Sequence, residues 1–386
     1  MAASLPPLES MIRRLVAIPS VSSLRPELDQ GNAGACAVVA EWMEHLGFRV
    51  ETLPLPGAPG KVNLVARLGE GDDGLALAGH TDTVPWDEGR GGVDPFAGTV
   101  RDGRLYGLGS ADMKSFFAVI ALAAERVDRR RLRRPLVVVA TADEESGMAG
   151  ARALAAAGRR LASRVVIGEP TDLVPVDRHK GIFMEEVRLE GRSGHASDPA
   201  AGLNAIEGMA EVVRALEAFR AEIGERFRDP AFAVPGATVN LGRIHGGDNP
   251  NRICGACELS LDVRVPPGGT VAVLRDRLRA RVREALEGRG FGLSFDALFE
   301  GIDPLEPGAD RALAQACAEL SGRACGAVSF GTEGPFFRDL GMEVVVFGPG
   351  EIRRAHQPDE SISLADARRA VDVVAALVHR FCGAGP

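Results

Sequence analysis

The stretch PLVVVATADEE, residues 135–145, changes character within eleven residues. Its first part, 135–140, is a continuous apolar run rich in β-branched side chains. Such a run reads as a strand buried on both faces. Its end turns abruptly acidic, at Asp143, Glu144 and Glu145. Working outward, helical periodicity is expected over about 112–127 on one side and near 148–157 on the other. Beyond them lie further short apolar runs, at 63–68, 75–78 and 165–168, and an amphipathic helix over 32–46 stopped by Gly47. Apolar strands alternating with helices predict an α/β core.

The pattern changes near Gly181. A strand over 183–190 carries Glu, Arg and Glu on one side, and a helix follows over 204–227. Two strands, 238–244 and 258–265, a helix over 270–286 and a strand over 293–299 complete a β-α-β-β-α-β order, the ferredoxin-like split unit. Alternation then resumes with a helix at 309–320, strands at 327–330 and 343–347, and a last helix over 364–381. The expected organisation is a core domain, 1–180 and 301–386, interrupted by an insert, 181–300. A chain of 386 residues exceeds one core of usual size, which agrees with two domains.

Bulk properties exclude several function classes. Net charge is -8, and the densest basic run, Arg129 to Arg134, reads as a solvated loop, so nucleic acid is not an expected partner. No apolar stretch is long enough to span a bilayer, and the start lacks a basic segment followed by an apolar core. Six scattered cysteines do not make a disulfide scaffold, and a reducing cytoplasm fits them. Cys254 and Cys257 have no second pair to complete a four-sulfur zinc site, so they read as thiols beside and in a strand. His45, His245 and His379 read as structural or exposed. The glycines before Asp112 lack the Lys-Ser/Thr of a phosphate loop, and neither Ser193 nor Ser197 sits in a nucleophile elbow.

The histidines and acids of the core fall in a recurrent place. His80 and Asp82 follow one strand, Glu144 and Glu145 another, Glu169 a third and His356 a fourth, while Asp112 follows a Gly-rich turn. Ligands bind at the carboxyl edge of open α/β sheets. Two imidazoles and three carboxylates form a mixed nitrogen and oxygen set suited to Zn, Co or Mn. Two cations share such a set when one carboxylate bridges, which leaves room for water. The adjacent pair Glu144–Glu145 can supply a base and a ligand. Asp82, two residues after His80, is placed to orient the imidazole.

Seven stretches carry a closer likeness: GHTDTVP (79–85), YGLGSADMKS (106–115), TADEESGMAGA (141–151), IGEPT (167–171), GRSGHASDPA (191–200), NLGRIHGGDNPNRICGACELSLDVR (240–264) and GPGEIRRAHQPDE (348–360). In order and content they resemble the dinuclear-zinc aminoacylase and carboxypeptidase superfamily, over about residues 77–360. Within it they are most similar to bacterial acetylornithine deacetylases. The resemblance implies a zinc-exopeptidase-like catalytic domain with an inserted ferredoxin-like lid that dimerises. It implies two divalent ions per chain, Zn2+ or Co2+, with His80 and Glu169 on one, Glu145 and His356 on the other, and Asp112 bridging.

By the same resemblance Glu144 is the general base and Asp82 supports His80. The peptide after Asp112 is cis. His195 binds the developing oxyanion in the partner subunit's site. Asn251 and Arg252 hold the substrate, the guanidinium gripping an α-carboxylate in a fork. The implied reaction is hydrolysis of N2-acetyl-L-ornithine to ornithine and acetate, a step toward arginine, in a cytoplasmic homodimer. Acetylcitrulline, a succinylated diamino acid or a dipeptide are the alternative substrates. A non-catalytic scaffold is disfavoured, because every expected ligand and the base are present.

Overall fold

The strand Leu75–His80 runs through the interior of an eight-stranded mixed sheet, with every residue buried. The computed structural model describes residues 4–86 and 92–383. Leu75–His80 pairs in parallel with Leu136–Thr141 on one side, His80 opposite Thr141, and with Arg164–Pro170 on the other. Glu343–Gly348 adds in parallel to Arg164–Pro170. The four parallel strands have nearly uninterrupted apolar sequences because helices cover both faces. Antiparallel strands extend the sheet at both sides: Val62–Leu68 beside Leu136–Thr141, then Arg49–Pro54, and Val176–His179 beside Glu343–Gly348.

The main core packs this sheet against Leu8–Val16, Ala33–His45, Ser115–Glu125, Ala312–Ser321 and Leu364–Cys382. Ser115–Glu125, SFFAVIALAAE, is buried along almost its whole length, as its lack of a polar face requires. Leu364–Cys382 is amphipathic and starts at Ser363, whose hydroxyl accepts the amide of Asp366 at 3.3 Å.

Three boundaries differ from the sequence expectation in ways that matter for the site. The strands run on through His80 and Glu169, so both side chains are held by sheet pairing and not by loops. Conversely, Asp112 does not open a helix. Residues 112–114 form turns, and the helix begins at Ser115. The amides of Ala111 and Asp112 are taken by the Glu360 carboxylate instead.

The chain falls into two compact units. The first comprises Met1–Asp177, Pro307–Gly326 and Thr332–Pro386; the second comprises Arg178–Glu306 and Ala327–Gly331. The second unit has four antiparallel strands in the order Thr238–Gly246, Ala256–Val265, Gly181–Glu190, Gly292–Ile302. Helices Ala205–Arg226 and Val271–Leu286 pack on it around Phe183, Val187, Leu216, Phe219 and Leu278. Both helices carry side-chain caps, Asn204 and Thr270. Side chains that alternate away from this core, such as Glu186, Arg188, Asp262 and Asp296, pair ionically. Among the described residues, no helix is long and apolar enough to cross a membrane. No disulfide joins any of the six cysteines, all of which lie among the described residues; Cys257 is in a strand and Cys254 in the segment before it.

Candidate metal centre

At the carboxyl ends of the parallel strands the sheet pairing continues one residue further, with the Thr81 amide on the Thr141 carbonyl at 3.1 Å. This pairing fixes His80 and the turn that carries Glu144 and Glu145 side by side. Asp143 makes that turn at φ 68°, a backbone conformation unusual for a non-glycine residue. It is held there by its own side chain: Oδ1 accepts from Lys61 Nζ at 2.5 Å, Ser22 Oγ at 2.7 Å and Ser146 Oγ at 2.9 Å. Nothing in the local sequence pattern pointed to Lys61 or Asp143 for this work.

Five expected donors converge. Those of His80, Asp112 and Glu145 lie within 4.8 Å of one another. Asp112 divides its oxygens, Oδ1 at 3.2 Å from His80 Nε2 and Oδ2 at 3.3 Å from His356 Nε2. His356 Nε2 is also 3.1 Å from Glu145 Oε1, and His80 Nε2 is 3.8 Å from Glu169 Oε1. His356 reaches the cluster from a loop after Glu343–Gly348 and adopts φ 58°. Non-glycine residues in this region gather where surrounding structure over-determines them. The Asp112–Met113 peptide is cis. His80 Nδ1 faces the Asp82 main-chain carbonyl at 3.0 Å, while Asp82 Oδ2 accepts the Glu145 amide at 3.1 Å.

The electrostatics call for positive charge. Burial, reinforced by neighbouring carboxylates, holds Glu144 and Glu169 well above the usual carboxylate range. Hydrogen bonds to Asp112 and Glu145 push the His356 imidazole up to about 11. His80 is also raised well above its ordinary value, burial being outweighed by Asp112, Glu169, Glu144 and Asp82. A ring driven to take a proton here is a ring whose lone pair a cation would use. Glu169 Oε1 and Asp82 Oδ1 are buried without a hydrogen-bond partner. Orphaned oxygens, two imidazoles and a carboxylate facing both ways fit a divalent-cation site.

Two buried carboxylates nearby had no role in the sequence reading. Glu333, whose carboxyl burial pushes up to about 7, sits 2.9 Å from Thr141 Oγ1. Glu360 lies four residues after His356 within a quoted motif, a spacing that is its only sequence signal. Beside His356 opens a cavity of about 600 Å3, bordered by Val84, Pro85, Trp86, Pro95, Leu108 and Pro358. Trp86 is braced edge-on by Phe96, ring centres 5.1 Å apart.

A second group assembles within the second unit. His195 and Arg252 oppose each other in an antiparallel bridge, and the Ala196 amide donates to the Asn251 carbonyl at 3.1 Å. His195 Nδ1 accepts the Ser197 amide at 3.2 Å and contacts Ser197 Oγ at 2.7 Å. A neutral ring held this way carries its proton on Nε2, as a donor. Arg252 pairs with Asp248 at 2.5 Å, both side chains more than half exposed.

Residues 76–380 match the family model described as peptidase family M20/M25/M40. The chain belongs to that family. The M20 chain is also similar in fold to a tripeptidase from Staphylococcus aureus, at 19% identity and TM-score 0.76, with 97% of each chain covered. An M20 metallo-carboxypeptidase from Sulfolobus solfataricus aligns at 16% identity and TM-score 0.76, over 97% of this chain and 99% of the other. A Bacillus subtilis protein described as a dinuclear metal-binding peptidase of the same family aligns at 18% identity and TM-score 0.67, with 96% of each chain covered. The M20 fold and a metal-dependent hydrolase class therefore agree with the site built above.

Proposed function

We propose that this M20 hydrolase cleaves N2-acetyl-L-ornithine to ornithine and acetate, with two divalent ions, Zn2+ or Co2+, per chain. The observation that carries the dinuclear reading is Asp112, which offers one oxygen to each histidine. His80 and Glu169 would hold one ion, Glu145 and His356 the other. Bound cations would polarise the acyl carbonyl and ease ionisation of water. Glu144, kept basic by burial and by neighbouring carboxylates, takes a proton from the attacking water and returns it to the leaving nitrogen. His195 donates from Nε2 to the oxygen that becomes negative, acting across a homodimer. Arg252 exchanges its exposed Asp248 partner for the substrate α-carboxylate, a swap with little cost because exposed pairs contribute only about 0–1 kcal/mol. Asn251 lies beside it. The core domain is assigned to 1–180 and 301–386, the lid to 181–300, in a cytoplasmic enzyme.

One observation favours a second reading. The cavity beside His356, about 600 Å3 and lined by Trp86, Leu108 and prolines, exceeds what an acetyl group fills. It suits a larger acyl group or a dipeptide side chain. The deciding experiment compares kcat/KM on metal-reconstituted protein for N-acetylornithine, N-acetylcitrulline, succinyl-diaminopimelate, apolar N-acyl amino acids and dipeptides. N-acetylornithine should lead the panel. A dipeptide ahead of every acetyl substrate would replace the first reading with the second.

A further inference from the structure

We propose that Glu360 is a positioning residue that sets the bridging carboxylate of Asp112 between the two histidines, an inference that rests on the dinuclear reading above. Glu360 is 3% exposed, and its carboxylate accepts three main-chain amides from one loop. Oε2 takes Gly109 N at 3.1 Å; Oε1 takes Ala111 N at 2.8 Å and Asp112 N at 3.0 Å. Its main chain joins the same grip, with the Glu360 carbonyl accepting Gly107 N at 3.0 Å. The loop so held, 107–112, ends on Asp112.

The clamp comes from the segment that supplies the other histidine. Glu360 N donates to the Gln357 carbonyl at 3.0 Å, closing a turn directly after His356. One side chain thus ties together two ligand-bearing segments some 250 residues apart in sequence. Asp112 must face both imidazoles at once, so a rotation of its loop would lengthen one contact as it shortens the other. An anchor on the Asp112 amide itself removes that freedom. A carboxylate suits the task where an amide does not. Three N–H groups converge, and the NH2 of a glutamine would face one of them. Groups that orient a metal ligand through hydrogen bonds typically contribute about 10- to 100-fold to metal affinity.

The test uses full-length protein, stripped by chelator, as wild type, Glu360→Ala, Glu360→Gln and Asp112→Asn. Zinc affinity is read by competition with a chromophoric chelator, the cobalt absorption spectrum reports ligand geometry, and thermal melts of the stripped proteins report the fold. Glu360→Ala should weaken zinc by about 10- to 100-fold and alter the cobalt spectrum. Glu360→Gln, which keeps one acceptor oxygen, should fall between Glu360→Ala and wild type. Asp112→Asn should lose at least as much as Glu360→Ala. Should Glu360→Ala not fold, Glu360→Gln decides alone. If the folded Glu360 variants bind zinc like wild type while Asp112→Asn loses it, the positioning role is overturned and the dinuclear reading stands. If wild type takes up no zinc, or Asp112→Asn binds as wild type does, the metal reading itself fails and the role of Glu360 falls with it.

Discussion

The imidazole of His80 takes its closest support from the main chain of Asp82: Nδ1 lies 3.0 Å from the Asp82 carbonyl oxygen and 3.7 Å from Oδ1. The Asp82 carboxylate is engaged elsewhere, on the Glu145 amide. Asp82→Asn keeps an acceptor for that amide, whereas Asp82→Ala orphans it. Urea unfolding should show Asp82→Ala less stable than Asp82→Asn by about 1–3 kcal/mol. Zinc affinity should fall less in either than in His80→Ala. Equal zinc loss in all three variants would mean that the carboxylate, not the carbonyl, orients the ring.

Glu144 and Glu145 should separate chemistry from binding. Glu145 Oε1 lies 3.1 Å from His356 Nε2, whereas among the described residues no imidazole pairs with Glu144. Glu144→Ala should lower kcat by about 100-fold or more while leaving metal content near wild type. Glu145→Ala should release metal. Metal analysis alongside kinetics checks both, and identical metal content in the two variants would reverse the division of labour.

Two glycines that precede ligands should differ in tolerance. A Cβ at Gly168 would run into three atoms of the rigid ring of Phe116. A Cβ at Gly79 would meet the thioether end of Met113, equally buried but the far end of an unbranched, flexible side chain. Gly168→Ala should destabilise by about 1–3 kcal/mol, and Gly79→Ala by less. Denaturant midpoints at constant slope give the comparison; a larger loss at Gly79 would show that Met113 is the less yielding neighbour.

Glu186 supplies a pH test remote from the metal cluster. Burial would raise its carboxyl, but hydrogen bonds from Arg188 and Ser260 and the charges of Arg188 and Arg243 outweigh that and hold it below the usual range. The folded state therefore binds this proton less readily than the unfolded chain. Its stabilisation is complete above the ordinary carboxylate value of about 4.3 and is lost as pH falls below it. The stability gap between wild type and Glu186→Gln should be widest near neutral pH and close in acid. A gap that widens below about pH 4 would contradict the sign.

Trans action of His195 predicts complementation. His195→Ala and Glu144→Ala should each be inactive, yet mixtures that exchange subunits should recover toward about a quarter of wild-type activity, because a heterodimer keeps one undamaged site. Demonstrated exchange without recovery would place His195 in its own chain's site or remove it from catalysis.

Much of this protein was legible in local pattern. Apolar runs such as 136–140 marked the buried strands, because burial on both faces leaves no room for alternation. The acids and histidines that follow them marked the sheet edge where donors meet. The β-α-β-β-α-β insert declared itself by its change of period. Motif likeness supplied roles for side chains that spacing alone would have left open. Tertiary structure decided which atom of each residue faces which neighbour. Asp82 meets His80 mainly through its carbonyl, Lys61 reaches Asp143 across 82 positions, and His195 comes to lie opposite Arg252. Glu360 looks in sequence like one more acid after a proline. It becomes the anchor of Asp112 only when the two segments close on each other and three buried amides need an acceptor. Periodicity reports whether a side chain is buried, a local property; the partner it finds there depends on chain closure over hundreds of residues, which no local window contains.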